Sequence, residues 1–189
     1  MEIAYQNQKQ FKKILESLTY PGRPVEFKGY RYYRGDLSNK IIEFCISLVD
    51  GDVSLSILGD YEESFKEISV RTNVCQAPPD KADYIVVPKT ELDKLAKTIL
   101  EAKRGTYIEP DNSATIIAEV DFGSQGQELT FQGPGIDGEI VTHISNVEDW
   151  MYARNKANSD FPMGVDIFFV SDNKIMALAR TTKVKVAGE

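Results

Sequence analysis

The sequence predicts an α/β protein in which helices pack on a mixed β-sheet. Helical and strand periodicities alternate through the first half of the chain, and strand periodicity dominates the second. Size is the third observation. At 189 residues with 42% hydrophobic residues, the chain is expected to bury enough apolar surface to fold as one layered unit without disulfide or metal support.

Taken in order, Phe11, Ile14, Leu15 and Leu18 recur at the i, i+3, i+4, i+7 spacing of one helix face, and Pro21-Gly22 stops that helix. Ile41, Ile42, Phe44, Cys45, Leu48 and Val49 form a wider apolar stripe ended by Asp50-Gly51. Asp60, with Glu63 three residues on, opens a helical pattern that runs to Ile68. Thr90 and Asp93 have the spacing of a capping box ahead of Leu95, Ala96 and Ile99, and Asn146 and Asp149 repeat it before Trp150 and Met151. Strands are expected at 53–58, 84–87, 115–120, 128–132, 139–143, 165–170, 174–178 and 183–186. The turn-rich stretches 75–80 and 122–127 are expected to be surface loops.

A net charge of −7 argues against sequence-independent nucleic-acid binding, which needs Lys and Arg to neutralise phosphates, but leaves room for a local anion pocket. With Cys45, Cys75 and a single histidine, His143, a structural zinc site has no ligand set. No apolar run approaches the roughly 18 residues of a membrane span, and the first residues lack the apolar core of a signal peptide. The expectation is a soluble, cytoplasmic protein with reduced thiols, no metal, and neither nucleic acid nor membrane as partner.

Gly133-Pro-Gly-Ile-Asp-Gly138 matches the dinucleotide fingerprint letter for letter. That motif functions only where a strand leads into a helix; here a β-branched run follows, so a strand–turn–strand connection is expected. Walker, zincin and hydrolase-elbow signatures do not occur in the sequence. Cys45 lies on an apolar helix stripe, where a free thiol behaves as a small hydrophobe, so a Cys–His nucleophile is not expected. Aromatic and basic residues alternate between Tyr20 and Arg34, a composition that fits either nucleotide stacking or, preferably, a protein contact.

The last quarter is more pointed. Asp166 interrupts an apolar strand, and Arg180-Thr181-Thr182 separates two further strands. With Asp172-Asn173 as a two-residue hairpin turn, Asp166 faces Ala179, Thr181 lies on its diagonal and Arg180 points to the other face. An acid in a buried strand needs a partner or a purpose. It is either satisfied structurally by threonine hydroxyls or belongs to an anion or nucleotide-polyol site with Arg180 and both threonines, and the residues alone leave both readings open.

Phe161-Pro-Met-Gly-Val-Asp166 followed by Ala179-Arg-Thr-Thr-Lys-Val184 resembles the C-terminal signature of the PhnH family, subunits of the bacterial carbon–phosphorus lyase system. Further motifs line up in the same order: Phe11-x-x-Ile-Leu before Tyr20-Pro-Gly22, Ala82-Asp-Tyr84, Gly105-Thr through Pro110 to Ala114-Thr115, Gln132-Gly-Pro-Gly-Ile136, and Trp150-x-x-x-Arg154-x-x-x-Asn158. Ala179 stands where a proline often precedes Arg-Thr-Thr. The resemblance implies a single domain over 1–189, with a three-layer α/β/α sandwich similar to the major domain of pyridoxal-phosphate (PLP)-dependent transferases but without the cofactor. It also implies a homodimer that joins PhnG, PhnI and PhnJ type subunits. Their machinery makes ribose 1-alkylphosphonate 5-triphosphate from ATP and an alkylphosphonate before the C–P bond is cut. Catalysis is then expected in the partners, with this chain assembling the complex or positioning substrate. The alternative is a stand-alone enzyme acting on a phosphorylated or phosphonate substrate. Arg154, Asn158, Asp166, Arg180, Thr181 and Thr182 are the candidates to line a pocket for a small anionic ligand. No lysine sits at a buried position suited to a PLP aldimine, so no cofactor is expected.

Overall fold

The computed structural model describes residues 2–29, 31–145 and 149–186. In chain order the elements are α1 (Glu2–Thr19), β1 (Val25–Glu26), α2 (Asn39–Leu48), β2 (Ser54–Ile57), α3 (Glu62–Thr72), β3 (Cys75–Gln76), β4 (Tyr84–Val87), a 3-10 segment (Lys89–Lys94) running into α4 (Leu95–Glu101), β5 (Thr115–Glu119), β6 (Asp121–Gln132), β7 (Ile140–Ser145), α5 (Trp150–Ala157), β8 (Asp166–Val170), β9 (Lys174–Leu178) and β10 (Lys183–Val186).

Seven strands form the main sheet in the order β1-β9-β8-β5-β4-β2-β3. The run from β8 to β3 is parallel, and β9 and β1 extend it in antiparallel fashion. Both faces are covered, which is why the central strands are apolar along their whole length instead of alternating with polar residues. Successive side chains enter opposite cores. Ile85, Ile116, Ile167, Phe169, Met176 and Leu178 pack with α4 and α5, whereas Val86, Ile117, Phe168, Val170, Ile175 and Ala177 pack with α1, α2 and α3. The expected mixed-sheet α/β/α layering is therefore present. A second sheet, β10-β6-β7, lies over the α4–α5 core through Leu129, Phe131, Ile144 and Val184.

Several local expectations are corrected. In α1, Ile14 is buried, but Phe11, Leu15 and Leu18 are 41%, 45% and 37% exposed, and the inward face is completed by Gln10 and Ser17. Burial is affordable for these polar groups because Gln10 donates to Glu43 (3.0 Å) and Ser17 to the carbonyl of Ile14 (2.7 Å). The Thr90–Asp93 capping box does not form: Thr90 sits inside the 3-10 segment, its Oγ1 2.7 Å from the Tyr61 hydroxyl. Asp149 precedes α5 in a left-handed conformation without a side-chain cap. Asn146 lies outside the described residues. The helix expected from Asp60 instead begins at Glu62. Cys75–Gln76 is a two-residue edge strand. Stretch 122–127 falls within β6, where Phe122 and Gln127 both stand opposite Ile144 and the residues between them have no β7 partner.

The Gly133–Gly138 motif is the strand–turn–strand connection between β6 and β7. Gly135 requires its hydrogen side chain: φ is +82°, and an added Cβ would lie 2.6 Å from the carbonyl oxygen of Thr19. This turn therefore packs against the Tyr20-Pro21-Gly22 stop of α1. Gly22 in turn donates to Ala177 on β9 and accepts from Thr142 on β7, tying both sheets together.

Asp83 fastens the opening of the parallel strands. One carboxylate oxygen accepts from the backbone and hydroxyl of Ser54 (2.7 and 2.5 Å), and the other from Lys103 (2.5 Å). Burial alone would raise its pKa, but the Lys103 and Ser54 hydrogen bonds outweigh that and hold it below the ordinary 3.8. A carboxylate with a depressed folded-state pKa stabilises fully above its unfolded value, and the contribution disappears as pH falls through the folded value. Melting temperatures measured between pH 6 and pH 2.5 are therefore expected to fall more steeply below about pH 4 for the native protein than for Asp83→Asn.

Candidate functional site

Three loops meet beside the start of β8. They are 104–113 between α4 and β5, 159–164 between α5 and β8, and 179–182 between β9 and β10. The hairpin register is the one expected from the sequence: Val170 pairs with Ile175 and Ile167 with Leu178 around Asp172-Asn173, which brings Asp166 level with Ala179. The position expected for Arg180 is corrected. Strand β9 ends at Leu178, and the chain turns so that the Thr182 N–H reaches the Ala179 carbonyl (2.9 Å). Arg180 consequently folds back onto Asp166 instead of pointing to the other face.

Arg180 uses every donor it has. Its backbone N–H meets Asp166 at 2.6 Å, and Nε and Nη2 meet the same carboxylate at 3.3 and 2.6 Å. Nη1 donates to the carbonyls of Pro110 (2.7 Å) and Pro162 (3.4 Å), and Nη2 also donates to the Ser113 hydroxyl (2.6 Å). A guanidinium has five N–H donors, and here one cation pins all three loops. Asn158, closing α5, works alongside it: its side chain accepts from the Val165 N–H (2.8 Å) and donates to the Val165 carbonyl (3.3 Å). Gly164 lets this clamp close, since a Cβ there would sit 2.4 Å from Asn158 Oδ1.

Arg154 is different. It is 1% exposed on the last turn of α5, where the helix's partial negative charge favours a cation. Its Nη2 donates to the Ala179 carbonyl at 2.6 Å, while Nε has no partner. Burial pushes its pKa down to about 10, partly offset by the charge of Asp166. Thr182, 2% exposed, likewise has a hydroxyl without a partner. Both residues line one cavity of about 560 Å³, together with Pro134, Asn158, Phe161, Arg180, Thr181 and the strand 183–185.

The other sequence candidates separate. His143 on β7 stands 3.2 Å from Glu128. Cys45 is buried and its thiol is pushed up to about 12 by desolvation, while Cys75 is exposed. Among the described residues no group of three His, Cys, Asp or Glu is placed to hold a metal, and no helix is long and apolar enough to cross a membrane. The aromatic–basic stretch divides as well: Phe27 and Tyr33 are core residues, Tyr20 and Tyr32 are exposed, and Arg31 reaches Gln6 of α1 at 3.0 Å. Tyr30 lies outside the described residues.

Residues 2–185 match the family described as "Bacterial phosphonate metabolism protein (PhnH)". The chain belongs to the PhnH family. A relative from Stutzerimonas stutzeri, named "Putative C-P lyase subunit protein HtxG", is 26% identical over 190 residues, covering 98% of this chain and 89% of its own. Another from Rhizobium meliloti (strain 1021), "Alpha-D-ribose 1-methylphosphonate 5-triphosphate synthase subunit PhnH", is 36% identical over 84 residues, 43% of this chain and 41% of its own.

Several of the PhnH motifs noted in the sequence converge in space. Pro110 and the Ala114-Thr115 segment, the Arg154/Asn158 helix, Pro162 to Asp166, and Arg180 to Thr182 all meet at this corner. Ser113, Pro134, Phe161, Lys183 and Lys185 were not singled out, although each lies beside or within a quoted motif. Since Arg180 satisfies Asp166 and two loops at once, truncating it leaves a partly buried carboxylate without its cation, held only by the backbone N–H of position 180, at a cost of up to about 3–5 kcal/mol. Arg180→Met is expected to melt well below the native protein in thermal denaturation, and Arg180→Lys also, because an ammonium cannot reproduce the fork.

Proposed function

We propose that this chain is a subunit of a carbon–phosphorus lyase system, supporting formation of ribose 1-alkylphosphonate 5-triphosphate from ATP and an alkylphosphonate without supplying the catalytic group. The observation that carries the reading is the PhnH match across residues 2–185. The printed names of the two relatives, a C-P lyase subunit and a triphosphate synthase subunit, point the same way. The side chains fit a positioning role: the buried Cys45 thiol is far from ionising at neutral pH, and His143 is engaged by Glu128. Its partners in this reading are PhnG, PhnI and PhnJ type subunits and a second copy of itself, and the cavity lined by Arg154, Asn158, Arg180, Thr181 and Thr182, with Asp166 holding Arg180, receives a small anion. The exposed Phe11, Leu15 and Leu18 on α1 support a protein contact, since apolar and aromatic groups concentrate in interface cores.

A cationic cavity favours a second reading, a stand-alone enzyme acting on a phosphorylated or phosphonate substrate. Co-expression decides between them. The chain is expected to co-purify with PhnG, PhnI and PhnJ type subunits and to restore growth on methylphosphonate to a strain lacking its own PhnH. Turnover of ATP and methylphosphonate by the purified chain alone would establish the second reading instead. In sedimentation the isolated chain is expected near twice its monomer mass, with Leu15→Asp or Arg31→Glu shifting it toward monomer; a native protein that stays monomeric at every concentration rules the dimer out.

A further inference from the structure

Among the described residues, four buried polar side-chain atoms have no hydrogen-bond partner: Ser38 Oγ, Trp150 Nε1, Arg154 Nε and Thr182 Oγ1. Two of the four, Arg154 and Thr182, line the same cavity. A buried guanidinium whose Nε has no acceptor, although its Nη2 meets the Ala179 carbonyl, and a buried hydroxyl without a partner each carry a desolvation cost that natural proteins seldom leave uncompensated. No carboxylate lies within ion-pair distance of Arg154 among the described residues. The cavity carries Arg154, Arg180, Lys183 and Lys185 and no acidic residue, on a chain whose net charge is −7. Asp166 neutralises Arg180, so the uncompensated positive charge belongs to Arg154 and the two lysines.

We propose that Arg154 and Thr182 together hold the oxyanion of an organic phosphate or phosphonate, with the Asp166–Arg180 pair and Asn158 as positioning residues that keep the cavity in shape. Arg154 supplies a free guanidinium donor and Thr182 a hydroxyl donor, a pairing suited to a tetrahedral oxyanion. Both donor side chains are buried, at 1% and 2% exposure, and charge-assisted bonds strengthen where the groups that make them are held away from bulk water. The cavity is far larger than a bare ion needs and falls in the range of organic-ligand pockets. Pro134 and Phe161 give it an apolar wall for the substituent on phosphorus. The choice of phosphonate and nucleotide as probes rests on the function proposed above; the oxyanion site itself does not.

Thermal-shift and calorimetric titrations of the full chain with methylphosphonate and, separately, ATP test this, each against sodium chloride at matched ionic strength. At least one probe is expected to bind the native protein and raise its melting temperature through binding to the folded state. Thr182→Val removes an unsatisfied hydroxyl, so it is expected to melt at or above the native temperature while weakening that binding about tenfold or more. Arg154→Met is expected to abolish it. Response to methylphosphonate alone assigns the phosphonate as ligand, and response to ATP alone assigns the nucleotide phosphate. The proposal is overturned if neither probe exceeds the chloride control, or if Thr182→Val binds as tightly as the native protein. Loss of co-purification with the partner subunits while binding persists sinks the subunit reading and leaves the site standing.

Discussion

The corner where three loops meet depends on a single ion pair. Asp166 begins β8, the edge of the parallel run, and Arg180 lies in the turn that follows its antiparallel neighbour β9, so the pair closes within one hairpin before it reaches further. From there the guanidinium engages Pro110, Pro162 and Ser113, groups contributed by segments far apart in the chain. A buried ion pair on its own is weak evidence for stability, because desolvation offsets the Coulombic gain. What distinguishes this one is that no donor of the guanidinium is wasted. Its contribution is geometric, and the shape of the neighbouring cavity follows from it.

That corner is set against a sheet held from both sides by adjacent residues of one strand. Phe168 meets Phe44 of α2 edge-on at 5.1 Å, and the next residue, Phe169, meets Trp150 of α5 at 5.0 Å on the opposite face. Tilted and edge-on ring pairs are favourable beyond their buried area. Because β8 alternates its side chains between two cores, the helix that carries Arg154 and Asn158 is registered to the strand that carries Asp166. The distance between the cavity's floor and its bracing pair is thereby fixed by core packing, not by the loops themselves.

Much of this was legible in the sequence. Strands such as Tyr84–Val87 and Lys174–Leu178 show the unbroken apolar runs that two-sided burial demands, and Asp172-Asn173 set a hairpin register that brought Asp166 level with Ala179. The orientation of α1 was not legible. Its periodicity marks Phe11, Leu15 and Leu18 as one apolar face but carries no information on whether that face meets the sheet or another chain. The inward face includes Gln10 and Ser17, whose hydrogen bonds depend on Glu43 and on the helix's own backbone. Edge strands of two residues leave no periodicity to detect. At the site, Asp166, Arg180 and the threonines stood out because charge and hydroxyls interrupted apolar strands. The allocation of roles among them did not, since a guanidinium satisfied by carbonyls at Pro110 and Pro162 looks the same in sequence as one awaiting a ligand.

The second sheet gives the cavity a wall of a different mechanical kind. Strand β10 spans Lys183–Val186, pairs along one edge with β6 and with no other strand among the described residues, and contributes Lys183, Val184 and Lys185 to the lining. Opening that wall requires only a short edge ladder to separate, whereas α5, on the other side of the cavity, anchors Trp150, Ala153 and Ala157 in the main core. Partial opening at a sheet edge costs far less than global unfolding. Loosening of β10 and collapse of the fold are therefore governed by separate barriers, and amide exchange along β10 would run on its own clock, faster than that of β5 or β8 and slowed by whatever occupies the space beside it.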